Sequence, residues 1–287
     1  MQTFTSHFLF HPPKHDPSCK FRTDSRNCML RSVNGDSIHC HLVCPWDQDT
    51  NIDAHVCTPQ VLLFLHGNSE DVATSMSYCQ WLADTMKCNV LSCDYPGYGF
   101  STGMLCEEGM NDAAFAVLDF AVGKLNYAVQ DIVVIGKSIG STPAIHIASM
   151  SFCSSLGGLV LVSPVASAVR CLSASHQLPE WLLNKLDCLV LPNIKHIANV
   201  SCPVQFVHGT KDTVVPCKNT DDLMAAMRTP QRTKPLFIAA GHNDIESLFA
   251  SEYLSTLRSF LLVCAQRATT DYDTTNSRIA ETCLFDI

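Results

Sequence analysis

From residue 61 onward, short apolar runs alternate with stretches whose apolar positions recur every three or four residues. Val61-Leu-Leu-Phe-Leu65 is a continuous run of strand length. It is followed by Val72, Met76, Cys79, Leu82, Ala83 and Met86 at helical spacing. A strand is predicted from Asn89 to Asp94, then a helix with Ala114, Val117, Leu118, Ala121 and Leu125 on one stripe. Ile132–Ile135, Leu156–Ser163, Pro203–His208 and Pro235–Ala240 supply further strands. A final helix is expected from Asp244, carrying Ile245, Leu248, Phe249, Leu257, Phe260 and Leu261. Such alternation predicts an α/β domain: a mostly parallel central sheet with helices on both faces.

Upstream, residues 27–44 alternate around Asn34-Gly35-Asp36, the turn signal of a β-hairpin, and 45–60 read as a polar loop. The expected organisation is an N-terminal arm over 1–25, lying across the domain, and one domain over 26–265. A polar, loosely held tail is expected over 266–287.

Composition narrows the class. The 287 residues are 47% hydrophobic, enough for a large buried core. A formal charge of −8 with no Lys/Arg cluster argues against nucleic acid as partner. No apolar stretch reaches the ~18 residues of a membrane span, and no signal peptide is visible. Gly is absent at position 2, and Cys283 stands one place too far from the end for a prenylation box. Most of the sixteen cysteines lie inside apolar elements (Cys79, Cys88, Cys93, Cys153, Cys264), so reduced thiols and a cytoplasmic setting are expected. A monomer is expected.

The chemistry concentrates in four places. The run Ile132–Ile135 enters Gly136-Lys-Ser138-Ile-Gly140, with helical sequence after it. That is the layout of a nucleophile elbow, in which a sharp strand-to-helix turn projects the serine hydroxyl and small residues two places either side avoid a clash. Asp212 follows the apolar run ending at His208, and His242 follows the run ending at Gly241. Val61–Leu65 runs into His66-Gly67-Asn68. The order Ser138, Asp212, His242 differs from the chymotrypsin and subtilisin orders. It makes Ser138 the candidate nucleophile, His242 the base and Asp212 its orienting acid. Backbone N–H groups of Asn68 and Ile139 are the candidate oxyanion donors, and Gly136 and Gly140 the elbow glycines.

His66 and His208 are expected to hydrogen-bond loop backbone rather than replace His242, and Lys137 to face solvent. Asp244 stands too near His242 in sequence to orient its ring easily. His39-x-His41 with Cys44 lacks metal-ligand spacing. Asp94-Tyr-Pro-Gly97-Tyr-Gly99 departs from a dinucleotide fingerprint and is expected to pack beside the nucleophile. No metal and no cofactor are expected. Residues 165–200 form a small lid of short helices, in which Trp181-Leu-Leu and Leu189-Val-Leu either line an acyl channel or pack on the core.

His66-Gly-Asn68, Asp94-Tyr-Pro-Gly-Tyr-Gly99, Gly136-Lys-Ser-Ile-Gly140, Pro192-Asn-Ile194, Ser201-Cys-Pro-Val204 with His208-Gly-Thr-Lys-Asp212, and Ala240-Gly-His242-Asn-Asp-Ile245 resemble the α/β-hydrolase superfamily of serine hydrolases. The resemblance covers about residues 60–262. More narrowly, the chain resembles the α/β-hydrolase-domain proteins that remove palmitate from protein cysteines, and it is also similar to serine aminopeptidase-like hydrolases. The resemblance implies an α/β-hydrolase fold and cleavage of acyl esters or thioesters through an acyl-enzyme. An acylated protein or a small acyl ester would be the partner, with peripheral contact to membranes. A carboxylesterase or monoacylglycerol-type lipase is the alternative, a serine aminopeptidase a more distant one, and a non-catalytic binding protein on a hydrolase scaffold lies outside enzymes. One departure is that the depalmitoylases begin with a cysteine cluster, whereas Cys19 and Cys28 alone precede the second strand of the hairpin here.

Overall fold

The computed structural model describes residues 10–14, 26–45, 58–172, 178–228 and 232–283, with side chains to residue 268. Most of the expected arm, most of the 45–60 loop and the last four residues lie outside these.

Eight strands form one sheet in the order β1-β2-β4-β3-β5-β6-β7-β8. The hairpin β1 (Asn27–Arg31) and β2 (Ser37–Val43) is antiparallel, with Asn27 opposite His41. Its turn is closed by Ser32 N–H to Asp36 O and carries Gly35 at φ +86°, a left-handed conformation that glycine adopts without steric cost. Strand β2 joins the sheet antiparallel to β4 (Asn89–Cys93). From β4 onward every pairing is parallel, through β3 (Val61–Leu65), β5 (Ile132–Lys137), β6 (Gly158–Val162), β7 (Val204–Gly209) and the short β8 (Leu236–Ile238).

The unbroken apolar runs are explained by two cores, one on each face of the sheet. Leu63, Leu65, Val134, Leu159 and Leu161 belong to one core. Their neighbours Leu62, Phe64, Val133, Ile135, Val160 and Val162 belong to the other. A strand covered on both sides has no polar face to alternate with, which is why Val-Leu-Leu-Phe-Leu reads as continuous. Helices α1 (Val72–Met86) and α8 (Ala250–Cys283) cover one face. Helices α2 (Glu107–Gly123) and α3 (Ser141–Ala148) cover the other. Asp71 opens α1 with a capping box: its carboxylate accepts from Thr74 N while the Thr74 hydroxyl accepts from Asp71 N. The lid contributes α4 (Glu180–Leu186) and α5 (Asn193–His196), and α6 (Lys218–Ala226) follows β7.

The C-terminal part departs from expectation twice. The predicted single helix from Asp244 is broken at Phe249 into α7 (Ile245–Leu248) and α8, so Ile245 is fully buried while Leu248 is 71% exposed. Helix α8 then continues through Cys283 instead of yielding to a loose tail at 266. A polar composition suggests irregular chain, but polar residues other than Gly and Pro sustain a helix once a buried first part nucleates it. Tyr253, Leu257, Phe260 and Cys264 are that buried part.

The strand order reverses between β3 and β5: after β3 the chain steps to β4 on one side, then returns to place β5 on the other. Open α/β sheets bind ligands beyond the carboxyl ends of the strands at such a point. The residues beyond those two ends are His66-Gly67-Asn68 and Ser138.

Candidate active site

Strand β5 ends at Lys137, and Ser138, at φ +53°, is the first residue of a 3-10 turn (Ser138–Gly140) that leads into α3. A non-glycine residue in the left-handed region costs about 1–2 kcal/mol, and such strain persists where surrounding packing over-determines it. The two glycines show that packing. A Cβ on Gly136 would lie 2.7 Å from Ala144 Cβ and from Gly140 O; one on Gly140 would lie 2.1 Å from Leu65 O. Ser141 holds the turn from inside, donating its hydroxyl to Ser138 O (2.6 Å) and accepting from Val165 N (3.0 Å).

The three predicted side chains come together at this point, although the chain separates them by many residues. His242 Nε2 is 3.0 Å from Ser138 Oγ, and His242 Nδ1 is 2.6 Å from Asp212 Oδ2. Asp212 is held by its other oxygen, which accepts from Val214 N and Val215 N at 2.8 Å each. Burial would raise its carboxyl, but His208, His242 and the Val215 amide outweigh burial and hold it well below the usual carboxylate range. It is therefore ionised at neutral pH. An ionised Asp212 accepts at His242 Nδ1, which leaves Nε2 as the acceptor for the Ser138 hydroxyl.

Of the other histidines, His66 and His208 bond loop backbone, and His208 Nε2 also lies 3.3 Å from Asp212 Oδ2, whereas His39 and His41 bond side chains. His208 Nε2 donates to Val215 O (3.0 Å) and its Nδ1 accepts from the Thr220 hydroxyl (2.7 Å), with the ring fully buried. His66 Nδ1 donates to Gly67 O (2.9 Å), and its ring lies 4.2 Å from that of Tyr95. His39 and His41 both contact Asn27, and His39 Nδ1 lies 2.6 Å from Asp94. Among the described residues no His/Cys/Asp/Glu group is arranged to hold a metal.

The Asp94–Gly99 loop packs against the His66–Asn68 turn. Tyr95 OH donates to His66 O (3.0 Å) and Tyr98 OH to Asn68 Oδ1 (2.9 Å). Gly99, at φ +46°, is required because a Cβ there would lie 2.1 Å from Asp94 Oδ2. Asp94 in turn accepts from Val72 N and Phe100 N, so it is committed to the fold and far from orienting His242. Asp244 is likewise spent on Gly241 N (3.2 Å). From the arm, Phe10 is buried in the core and His11 N donates to Asn68 Oδ1 (2.9 Å).

Lys137 corrects an expectation. Its side chain is only 13% exposed, and its ammonium lies 2.9 Å from Glu70 and 3.4 Å from Glu246. It lines the cleft at the end of β5, where Glu70 from the turn after β3 and Glu246 from α7 meet it.

The cleft above Ser138 has a volume of about 400 Å³. Val165, Ala168, Leu172, Leu191 and Val214 line it on apolar chains, and Asn68, Glu70 and Lys137 on polar ones. Of the two lid segments with open readings, Leu191 lines the cleft, whereas Trp181 and Leu189 are 62% and 69% exposed. The lid is anchored by a residue the sequence did not single out. Buried Arg170 donates from Nε to both Asp187 oxygens (3.1 and 2.9 Å), from Nη1 to Asp222 (2.7 Å) and from Nη2 to Glu180 (2.6 Å). An arginine within an otherwise uncharged, apolar-rich stretch was its only signal in the sequence.

The strand order, the elbow at the end of β5 and the loops after β7 and β8 define an α/β-hydrolase fold. The comparisons agree. A Pyrococcus furiosus esterase, Pf2001, superposes with a TM-score of 0.65 over 88% of this chain and 97% of its own, at 17% identity. The mouse alpha/beta hydrolase domain-containing protein 10 gives 0.59 over 82% and 98%, at 15% identity. In sequence, the chain is 30% identical to the Xenopus laevis alpha/beta hydrolase domain-containing protein 17B over 248 residues, 83% of this chain and 76% of that one. It is 34% identical to the human protein 17C over 213 residues and to the Caenorhabditis elegans protein aho-3 over 201. The matches cover 71% and 70% of this chain, and the chain spans 60% and 57% of the length of those two relatives. No family model matches. The chain belongs to the family of alpha/beta hydrolase domain-containing proteins.

Proposed function

We propose that this protein is a serine hydrolase of acyl esters or thioesters, with Ser138 as nucleophile, His242 as general base and acid, and Asp212 as its orienting partner. The observation that carries the reading is the line from Asp212 through His242 to Ser138, with gaps of 2.6 and 3.0 Å. As Ser138 Oγ attacks the acyl carbon, its proton passes to His242 Nε2 and the carbonyl electrons move onto oxygen. Asp212 stabilises the imidazolium without taking its proton. The backbone N–H groups of Asn68 and Ile139 receive the oxyanion, a contribution of about 3–4 kcal/mol per donor in serine hydrolases. Collapse expels the thiolate or alkoxide, which takes the proton from His242. Water then repeats the sequence on the acyl-enzyme and restores Ser138. No group beyond the chain and water enters any step.

Cys171 is the competing nucleophile in the cleft. Burial, together with the charge of Asp212, pushes its thiol up to about 12, so thiolate is scarce at neutral pH. The narrower reading is a palmitoyl-cysteine thioesterase. The apolar lid side of the cleft supports a long acyl chain, and the motif resemblance to depalmitoylases supports a cysteine leaving group. Hydrolysis of matched acyl-thioester and acyl-ester series of increasing chain length tests it. Preference for long thioesters is expected, and a preference for short esters would move the protein to the carboxylesterases.

A further inference from the structure

Lys137 occupies the position just before the proposed nucleophile, and its surroundings are not those of a solvated surface lysine. Its ammonium lies 2.9 Å from Glu70 Oε1 and 3.4 Å from Glu246 Oε1, and 5.8 Å from the centre of the Tyr78 ring. The three charged side chains are 13%, 29% and 13% exposed. Burial works against the ammonium, but the two carboxylates outweigh it and keep the group charged. The same charge, with the Gly67 amide, overcomes burial at Glu70 and holds its carboxyl below the usual range.

Each acid reaches a different part of the site. Glu70 uses its second oxygen to accept from Gly67 N (3.0 Å), while its own amide donates to Gly67 O (3.3 Å). The Gly67–Glu70 turn is thus closed twice, and Asn68 is one of its two inner residues. Glu246 lies in the first turn of α7, four positions after His242. One ammonium therefore joins the end of β5, the turn after β3 and the segment after β8.

We propose that Lys137, acting through Glu70 and Glu246, is a positioning residue of the acyl-transfer site, fixing the Asn68 turn and the His242 segment against the elbow. This rests on the serine-hydrolase reading above. An uncharged side chain of similar length would leave Glu70 and Glu246 facing one another, no further apart than the sum of their distances to the ammonium. Two like charges would then repel beside the place where the oxyanion forms. The turn and the histidine segment relax apart as a result, and misplacement of about 1 Å costs an acyl-transfer site about 100-fold.

The test compares wild type, Lys137→Met, Lys137→Arg, Glu70→Gln and the Met/Gln double variant. A soluble acyl thioester gives kcat and KM, thermal melting reports the fold, and amide hydrogen exchange is followed over residues 66–71. The Met variant is expected to lose about 10–100-fold in kcat with KM within about threefold, and to exchange faster over 66–71. The Arg variant recovers most of kcat, and the double variant is no slower than Met alone, because both changes release the same turn. Unchanged kcat in the Met variant, no rescue by Arg, or losses that add would overturn the proposal. Should the Met variant fail to fold, Glu70→Gln keeps the shape and carries the same expectation for kcat and exchange. If wild type neither hydrolyses the thioester nor reacts at Ser138, the functional reading fails, and exchange over 66–71 alone still decides the role of Lys137.

Discussion

Replacing Asp212 by Asn changes one atom and reverses one hydrogen bond. The carboxylate accepts from Val214 N and Val215 N through Oδ1 and faces His242 Nδ1 through Oδ2. The amide keeps the two backbone bonds by placing its oxygen on them, which turns its NH2 toward His242. Nδ1 must then accept, so the ring carries its proton on Nε2, 3.0 Å from Ser138 Oγ, and cannot take another from the serine. The charge that would stabilise the imidazolium is lost as well. The equivalent change in a serine protease lowers kcat about 10⁴-fold, about 5.4 kcal/mol of barrier. A similar loss is expected here, with KM little changed. The loop after β7 retains both backbone bonds, but stability should fall measurably, because the carboxylate's contacts with His242 and with His208 Nε2 (3.3 Å) lose their charge. Steady-state hydrolysis of a soluble acyl thioester, with a melting curve on the same preparation, reads both quantities. A variant that folds and retains turnover within tenfold of wild type would refute the assignment and show that another carboxylate orients His242.

Arg170→Met should destabilise the protein by about 3–5 kcal/mol in urea unfolding, because it leaves the fully buried Asp187 without its ion pair; a loss under 1 kcal/mol would mean that the lid is held elsewhere. Asp212, Asp94 and Glu70 all have folded-state carboxyls below the ordinary range, so their stabilisation is complete above the unfolded value of about 4 and fades as pH falls below it. Melting temperature should therefore decline only slightly from pH 7 to about 5, where His146 is kept neutral by burial in the folded state but takes a proton on unfolding, and drop steeply below about 4, with a smaller drop in Asp94→Asn; a melting temperature that rises on acidification would contradict this.

Much of the fold is legible because two-sided burial writes itself plainly. Val61–Leu65 and Ile132–Ile135 alternate between two cores, so every position is apolar and the strand is unmistakable. The elbow is legible for a steric reason: Gly140 lies against Leu65 O too closely for any side chain, and that leaves a glycine in the sequence. Lys137 reads as a solvated lysine because its partners are 67 residues upstream and more than a hundred downstream, and nothing local distinguishes it. Arg170 hides for the same reason, since Asp187 and Asp222 reach it only after the lid folds. The extent of α8 is not legible because hydrophobic periodicity fades after Cys264, while the helix itself needs only backbone bonds to continue.

The central claim is that Ser138 attacks an acyl carbon with His242 as its base. Reaction with a fluorophosphonate probe, followed by mass analysis of the labelled peptide, tests it most directly. One adduct on Ser138 is expected in wild type, none in Ser138→Ala, and labelling slowed by orders of magnitude in Asp212→Asn, with the fold intact in all three. Labelling that persists in Ser138→Ala, or that maps to Cys171, would contradict the account.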